Sequence, residues 1–352
     1  MVEIQGLKPW TSALPGQRSN QLSYIPTLLT RGYFTRFIPK NKAVTIVHML
    51  ADYLEDLAYR AKAQYYAFTV GGGIILLALT GWLWWHYYYL NPQTVFWAAV
   101  SNNLVVSGVT KHTTSQNEAG NLSQYDQISF GANNVVKTSS TVTQNPQDAQ
   151  KSVVVTESIG TPTQNFARYT KIEGGSVDGK KPDFGKILNV WSKQTVDQDN
   201  NGIFADAIFD AIPFALLSQK NRQDVVNSMQ TNQIYDIDFS KVKKDRQDGK
   251  LLYTYQAAIA ADKYVAMLKQ VDALMGLKQL SVLDPSQYQG SQPIQVQFTV
   301  DAIGHQLAAV EYTGTNRKIA YSSWGAPLKL QLPDAKLTRS ELQTKLDDAV
   351  GQ

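Results

Sequence analysis

The most regular hydrophobic pattern in the chain is a continuous apolar stretch, Ala67 to Trp85, which contains no charged residue. As a helix it would be about 29 Å long, close to the roughly 30 Å hydrocarbon core of a bilayer. Its flanking aromatic residues are Tyr65, Tyr66, Trp82, Trp84, Trp85 and Tyr87 to Tyr89. Membrane-spanning helices carry such aromatic belts at both interfaces. The pattern therefore predicts a transmembrane helix over residues 65–90.

Two segments with different patterns precede this stretch. Residues 1–40 are polar and interrupted by prolines, which predicts an irregular tail. Over residues 41–64, apolar residues recur at spacings of three and four, which predicts an amphipathic helix next to the membrane. The apolar positions are Ala43, Val47, Leu50, Leu54, Leu57 and Ala61. The stripe over residues 41–61 would suit self-association, a protein partner or the lipid surface, and its few turns do not decide among these.

After the apolar stretch, the dominant period changes to two. Residues 91–335 contain two blocks of alternating, turn-bounded segments, which predict about eight to eleven antiparallel strands. The helix-like segments are Thr94 to Leu104, Phe184 to Ser192, Asn201 to Leu217, Gln219 to Thr231 and Asp262 to Met275. The second block includes strand-like segments from Gln233 to Val242 and from Leu328 to Leu332, and a turn over Asp245 to Lys250. The predicted fold class is α+β, with one curved antiparallel sheet, a half-barrel, wrapped around the inserted helices. Residues 336–352 form a C-terminal helix and tail opened by the capping box Thr338-Arg-Ser-Glu341.

The net charge of +4 is concentrated before the apolar stretch. Between Trp85 and Lys111 there is no Lys or Arg, so the positive-inside rule predicts a cytoplasmic N-terminus and an extracytoplasmic C-terminal domain. Because that domain is neutral, nucleic acid is excluded as a partner. The absence of cysteine excludes disulfides, thiolate catalysis and lipid attachment through cysteine.

No motif in the sequence indicates catalysis or a cofactor. Asp197 to Gly202 matches the first six positions of an EF-hand loop, but Ile208 occupies the twelfth position, where a bidentate Glu is required. A polar turn is the favoured interpretation, and calcium binding there is left open. The four histidines share no metal-ligand spacing. We therefore expect no enzyme activity, no cofactor and no metal.

The closing part of the chain resembles a known family. Tyr321-Ser-Ser-Trp-Gly-Ala-Pro327, followed by Leu328 to Pro333, is similar to the ending of the LppX/LprG-type lipoproteins, whose fold is a LolA-like half-barrel. The hairpin of Val296 to Val300 and Leu307 to Tyr312, and the opening from Phe96 to Thr110, resemble the same family. The chain departs from it in lacking the lipobox cysteine and in having the N-terminal tail. A transmembrane anchor therefore replaces the lipid anchor.

The resemblance implies a lipid-binding function. In that family a hydrophobic cavity between sheet and helices holds acyl chains, and the candidate lining residues here are Trp191, Phe204, Ile208, Phe214, Leu217, Tyr264 and Leu268. The same residues would equally suit an ordinary core. The predicted protein is a single-pass protein of the bacterial cytoplasmic membrane that holds or presents lipid in the cell envelope. The alternative is an interaction or sensor module that binds a protein or small ligand without lipid cargo, and a cavity filled by side chains would favour it.

Overall fold

The computed structural model describes residues 40–117, 120–131, 133–144, 151–174, 182–197, 202–326, 328 and 330–350. The chain divides into two compact units, Met1–Leu79 and Thr80–Gln352. The irregular tail predicted for residues 1–40 lies almost entirely outside the described residues.

Helix α1 (Lys40–Trp84) is continuous, and a π-helical turn, Trp85–Tyr89, follows it. The predicted amphipathic and apolar segments are therefore parts of one helix. By length and composition His48–Tyr89 is able to cross a membrane, and none of its apolar window is buried within the chain. Ile74, Leu77 and their neighbours are largely exposed, which is unfavourable in water and favourable in lipid.

Helix α2 (Pro92–Asn103) begins the second unit's core. The side chain of Asn91 accepts a hydrogen bond from the backbone N–H of Gln93, and Pro92 suits the first helical position because it needs no N–H partner there. One face of α2 is completely buried, and it carries Val95, Phe96, Ala99 and Val100. The helix predicted from Thr94 to Leu104 is confirmed.

Thirteen strands form one sheet in the described part of the chain. The strands are β1 (Gly108–Asn117), β2 (Gly120–Ser129), β3 (Val135–Gln144), β4 (Ser152–Gly160), β5 (Gln164–Glu173), β6 (Ser192–Thr195), β7 (Tyr235–Ile237), β8 (Lys243–Gln247), β9 (Lys250–Ile259), β10 (Ile294–Asp301), β11 (Gln306–Tyr312), β12 (Arg317–Ser322) and β13 (Leu337–Thr338). Their order is β13-β6-β5-β4-β3-β2-β1-β12-β11-β10-β9-β7, with β8 also on β9. The two sequence blocks meet where β1 pairs with β12, and only the β13–β6 pair is parallel among the described strands.

Four further helices accompany the sheet: α3 (Ile203–Ile208), α4 (Gln219–Thr231), α5 (Ala261–Met275) and α6 (Arg339–Val350). The boundaries of α4 match the prediction, and α5 begins one residue earlier. The predicted capping box opens α6, where Thr338 Oγ1 accepts from the N–H of Glu341 at 3.2 Å and the Glu341 carboxylate accepts from the N–H of Thr338 at 2.7 Å. The α+β class, with one curved and open antiparallel sheet around inserted helices, is confirmed.

The sheet has two different faces because consecutive strand residues point to opposite sides. We call the face that carries Val136 the inner face, since Val136 is fully buried in the large core beneath α2 to α5. The opposite, outer face carries a small cluster of Val135, Ile159 and Phe166, against which Leu330 and Ala335 pack. The segment after β12 therefore helps to cover part of the outer face.

Four local predictions were wrong. Phe184 to Ser192 forms turns instead of a helix, consistent with Gly185 and with the left-handed backbone of Asn189 (φ 62°). The strand predicted from Gln233 to Val242 is reduced to β7, because Asp238 caps a 3₁₀ turn after it. The turn predicted over Asp245 to Lys250 is confined to Asp248 and Gly249, and β8 occupies the preceding residues. The described residues 328 and 330–332 form no strand, although one was predicted from Leu328 to Leu332.

The helix predicted from Asn201 to Leu217 is reduced to α3 in the described residues. Pro213 has no N–H for a continuing helix. The backbone N–H groups of Ala215 and Leu217 donate instead to the carbonyls of Asn103 and Leu104, at the end of α2. The chain from Phe209 to Leu217 is therefore an extended segment held by another element, which its apolar composition alone could not reveal.

Candidate ligand-binding sites

Six of the seven predicted cavity residues lie in the large core or against it. Phe204, Ile208 and Phe214 have no exposed surface, and Leu217 and Leu268 have less than a tenth. Tyr264 is partly buried and packs against the same core. The sheet has a concavity on each face, and none of the seven residues lines either of them. Their contact with a ligand stays a prediction.

Trp191 is separated from the other six by the sheet. It packs against the outer-face cluster of Val135, Ile159 and Phe166, and the guanidinium carbon of Arg168 lies 4.7 Å from its ring centroid. The seven predicted residues therefore do not form one site.

A buried charged cluster occupies part of the inner face. Lys111 of β1 lies with its ammonium nitrogen 3.0 Å from the carbonyl oxygen of Ala207, 3.5 Å from Asp210 Oδ2 and 3.6 Å from Asp126 Oδ2. All three charged side chains are at most 4% exposed. Buried charges are tolerated when they are paired and fully hydrogen-bonded. This arrangement fixes the segment after α3 to the sheet.

Neutral donors complete the coordination of Asp210. Its Oδ1 accepts from the N–H of Ala211 and the hydroxyl of Tyr312, both at 2.8 Å, and its Oδ2 accepts from the hydroxyl of Tyr321 at 3.1 Å. The Tyr264 hydroxyl donates to the backbone carbonyl of Asp210. Burial alone would raise the pKa of Asp210, but the Lys111 charge, the hydrogen bonds from Ala211 and Tyr312 and the Arg317 charge outweigh burial and lower that pKa below its usual value.

The carboxylate of Asp126, the second one beside Lys111, also accepts hydrogen bonds from neutral side chains. Asp126 accepts from Thr138 Oγ1 at 2.8 Å and from Gln124 Nε2 at 2.9 Å and 3.0 Å. Sequence reasoning missed this cluster. The sequence did contain a signal. Lys111 lies two residues from Val109 and Asp126 two residues from Ile128, so each charged residue shares the inward face of its strand with an apolar one.

Part of the inner face carries a row of aliphatic side chains outside both hydrophobic clusters. Leu122, Val142, Val154 and Ile172 are paired in register across β2, β3, β4 and β5. Each is partly exposed, and none belongs to the large core or to the outer-face cluster. With strands about 4.8 Å apart, this aliphatic stripe is about 14 Å long. It is the most coherent apolar surface that the described strands leave partly open.

A concavity of about 230 Å³ lies beside the aliphatic stripe. Thr156, which lines it, is on the inner face two residues after Val154, and the concavity is also lined by Ser158, Tyr169 and Ser192. Arg339 contributes a basic residue to its border, whereas Arg168 and Lys193 pair in register with the outer-face residues Glu157 and Phe166. The inner face therefore places a polar recess next to an apolar stripe.

Within the second unit, tyrosine hydroxyls attach the residues after α1 to the sheet. Tyr89 donates to the carbonyl of Ile303 at 2.7 Å, Tyr253 to that of Leu90 at 3.0 Å and Tyr255 to that of Pro92 at 2.9 Å. The segment leading into α2 is thus held by three long-range hydrogen bonds.

The described residues contain no group of three or more His, Cys, Asp or Glu side chains able to hold a metal ion. Residues 198–201 of the EF-hand-like sequence lie outside the described residues. Calcium binding at Asp197 to Gly202 therefore stays open.

The chain is similar in structure to two solved mycobacterial proteins. LprF from Mycobacterium bovis gives a TM-score of 0.35 at 13% sequence identity, covering 69% of this chain and 97% of that one. The lipoprotein LppX from Mycobacterium tuberculosis gives a TM-score of 0.30 at 10% identity, covering 69% and 98%. Both are of the lipoprotein type that the closing residues indicated, and the agreement concerns the fold alone. No protein-family model and no curated protein matches the chain.

Proposed function

We propose that this protein is a single-pass, membrane-anchored lipid-binding protein. Helix α1 crosses the bacterial cytoplasmic membrane with the N-terminus in the cytoplasm, and the sheet domain lies on the other side and holds or presents lipid in the cell envelope. The observation that carries the proposal is the aliphatic stripe of Leu122, Val142, Val154 and Ile172, which is in register, partly exposed and outside both hydrophobic clusters.

The stripe has the chemistry that an acyl chain requires. Each methylene moved from water onto an apolar surface contributes about 0.8 kcal/mol when it is fully buried. Hydrophobic side chains left partly exposed in one row across four strands are commonly covered by a ligand or a partner. The adjoining recess supplies the hydroxyl groups of Thr156, Ser158, Tyr169 and Ser192, together with Arg339 at its border, which suit the polar part of a lipid. The acyl site therefore differs from the core residues first expected to line it.

The experiment compares two neighbouring valines of β4. Val154 lies on the inner face in the stripe, whereas Val153 lies on the outer face, and both are partly exposed. The full chain would be purified in detergent, extracted with organic solvent and analysed for bound lipid by mass spectrometry. We expect one tightly held lipid class in the wild type and in Val153→Gln, with at least a tenfold loss in Val154→Gln.

Lipid that surrounds the transmembrane helix would be retained equally by all three proteins. Equal retention would therefore contradict a lipid site on the stripe. A melting curve for each variant, recorded by tryptophan fluorescence, establishes that the two substitutions leave the fold intact.

A second candidate function is an interaction or sensor module without lipid cargo. The burial of the core favours it, since Phe204, Ile208 and Phe214 have no exposed surface. In that case the stripe of residues 41–61, including the exposed Leu50, Leu54 and Leu57, would bind a second copy or a protein partner. Absence of any retained lipid in the wild type, together with crosslinking through this segment, would support the module and exclude lipid carriage.

A further inference from the structure

A concavity of about 840 Å³ is lined mostly by outer-face residues, and Leu122 of the aliphatic stripe is also part of its border. One row of paired residues crosses it from β9 to β3: Gln256, Gln297, Glu311, Lys318, Thr114, Ser123 and Thr141. The row belongs to the outer face because the neighbouring positions Tyr255, Phe298, Val310 and Ile319 are fully buried in the inner core. It crosses seven strands and is about 29 Å long.

The residues that line this polar concavity are mostly neutral. Hydroxyl and carboxamide groups predominate, and each of these groups both donates and accepts hydrogen bonds. Gln256 already donates to Gln297 at 2.7 Å, which orients both amides. Among the charged groups of the lining, Lys318 forms an ion pair with Glu311, and the Arg317 guanidinium, which keeps its charge, lies over the ring of Tyr312, 4.8 Å from its centroid.

An oriented aromatic ring stands beside the concavity. Tyr125 is half exposed, and one face of its ring is stacked on His112 with centroids 3.9 Å apart and planes within 5° of parallel. His112 is itself held by a 3.1 Å hydrogen bond between its Nε2 and the hydroxyl of Ser123, which lines the concavity. A rigid aromatic side chain offers contact area at a low entropic cost. Tyr125 is therefore a preformed platform at the edge of a hydroxyl- and amide-lined surface.

We propose that this surface binds a neutral oligosaccharide chain. A sugar ring presents an apolar C–H face, which suits the Tyr125 ring, and equatorial hydroxyls, which suit the threonine, serine and glutamine side chains. A polyanion would meet few unpaired cations, and the lining mixes polar and apolar surface in nearly equal parts, as a sugar does. A peptide strand is also disfavoured, because strand addition needs a sheet edge and this row crosses the middle of the sheet.

The test uses the full chain in lipid nanodiscs and an array of neutral oligosaccharides of four to eight residues, with uronate-bearing chains of equal length as the charge control. The strongest neutral binder is then titrated by calorimetry. We expect Tyr125→Ala to weaken binding at least tenfold and Tyr125→Phe to preserve it. Gln127→Ala is the matched control, since Gln127 is exposed on the same face of β2 and lies two residues further than Tyr125 from Ser123, which lines the concavity.

A second readout locates the bound chain. The sequence contains four histidines, so ¹³C-labelled histidine gives few signals, and binding on Tyr125 would shift that of His112 alone. Absence of neutral binders from the array would overturn the proposal, as would stronger binding of uronate chains or equal affinity for Tyr125→Ala and wild type. The two tests change different residues, because Val154 lies on the inner face and does not line this concavity.

Discussion

The ammonium nitrogen of Lys111 lies 3.5 Å from Oδ2 of Asp210, a residue 99 positions later in the chain. Lys111 belongs to β1, and Asp210 to the extended segment between α3 and α4. The contact joins the sheet to the inserted segment inside a region that is almost completely excluded from water. Because a charge buried without its partner is costly, this pair specifies where the segment must lie.

Replacing Lys111 with methionine should strongly destabilise the domain. Asp126 and Asp210 would then remain buried without a cation, and breaking a buried ion pair in this way costs about 3–5 kcal/mol. Chemical denaturation followed by tryptophan fluorescence measures the change. The control is Lys137→Met, which removes a partly exposed ion pair with Glu157 at 3.8 Å and should cost about 1 kcal/mol or less. Equal losses in the two variants would contradict the structural role of Lys111.

Asp210 should also contribute to the acid sensitivity of the fold. Its pKa is lowered in the folded state, so the unfolded chain binds the proton first as the pH falls. The contribution is complete above the usual carboxyl pKa of 3.8 and is lost as the pH falls through the lowered folded value. Burial raises the pKa of Asp206, which acts in the opposite direction, so the informative quantity is the difference between wild type and Asp210→Asn.

We expect Asp210→Asn to be less stable than wild type at pH 7, with the difference shrinking below about pH 4. Denaturant titrations at several pH values between 7 and 3 provide the measurement. Asp224→Asn, at an exposed position of α4, is the control and should follow the wild type throughout. A constant difference between wild type and Asp210→Asn would exclude the proposed linkage.

Gly160 should tolerate no larger side chain without loss of stability. An added Cβ would lie 2.6 Å from the backbone nitrogen of Phe204 and 2.8 Å from Cβ of Ile203, so α3 would have to move away from β4. Overpacking of this kind costs about 1–3 kcal/mol. Gly304→Ala is the comparison, because its nearest contact would be an ordinary 3.4 Å to Asp301. A Gly160→Ala protein with wild-type melting temperature would show that α3 is not held so closely.

The proposed topology is testable because the chain contains no cysteine, so a single introduced thiol is the only one present. Asp52→Cys places that thiol before the apolar stretch, and Gln127→Cys places it on the exposed face of β2. In intact cells a membrane-impermeant maleimide should label Gln127→Cys at once and Asp52→Cys only after permeabilisation. The reverse pattern would invert the orientation.

Much of the local structure was predictable from short-range patterns. The long apolar helix, the boundaries of α4 and the capping box of α6 each depend on neighbours within a few residues. The helices predicted at Phe184 to Ser192 and through Leu217 were wrong, because turn geometry and hydrogen bonds to α2 overrode apolar composition there.

The sequence alone determined which segments alternate, which are amphipathic and where a membrane helix fits, since these properties are encoded in residue spacing. Only the tertiary structure decided which side chains meet. The pairing of β1 with β12 and the register from β1 to β6 place Lys111 beside Asp126, align the aliphatic stripe and put Trp191 on the opposite face from Phe204. The face that a strand residue occupies depends on whether its position in the strand is odd or even, and its cross-strand neighbours come from distant parts of the chain. No local pattern could therefore define the buried charged cluster or the aliphatic stripe.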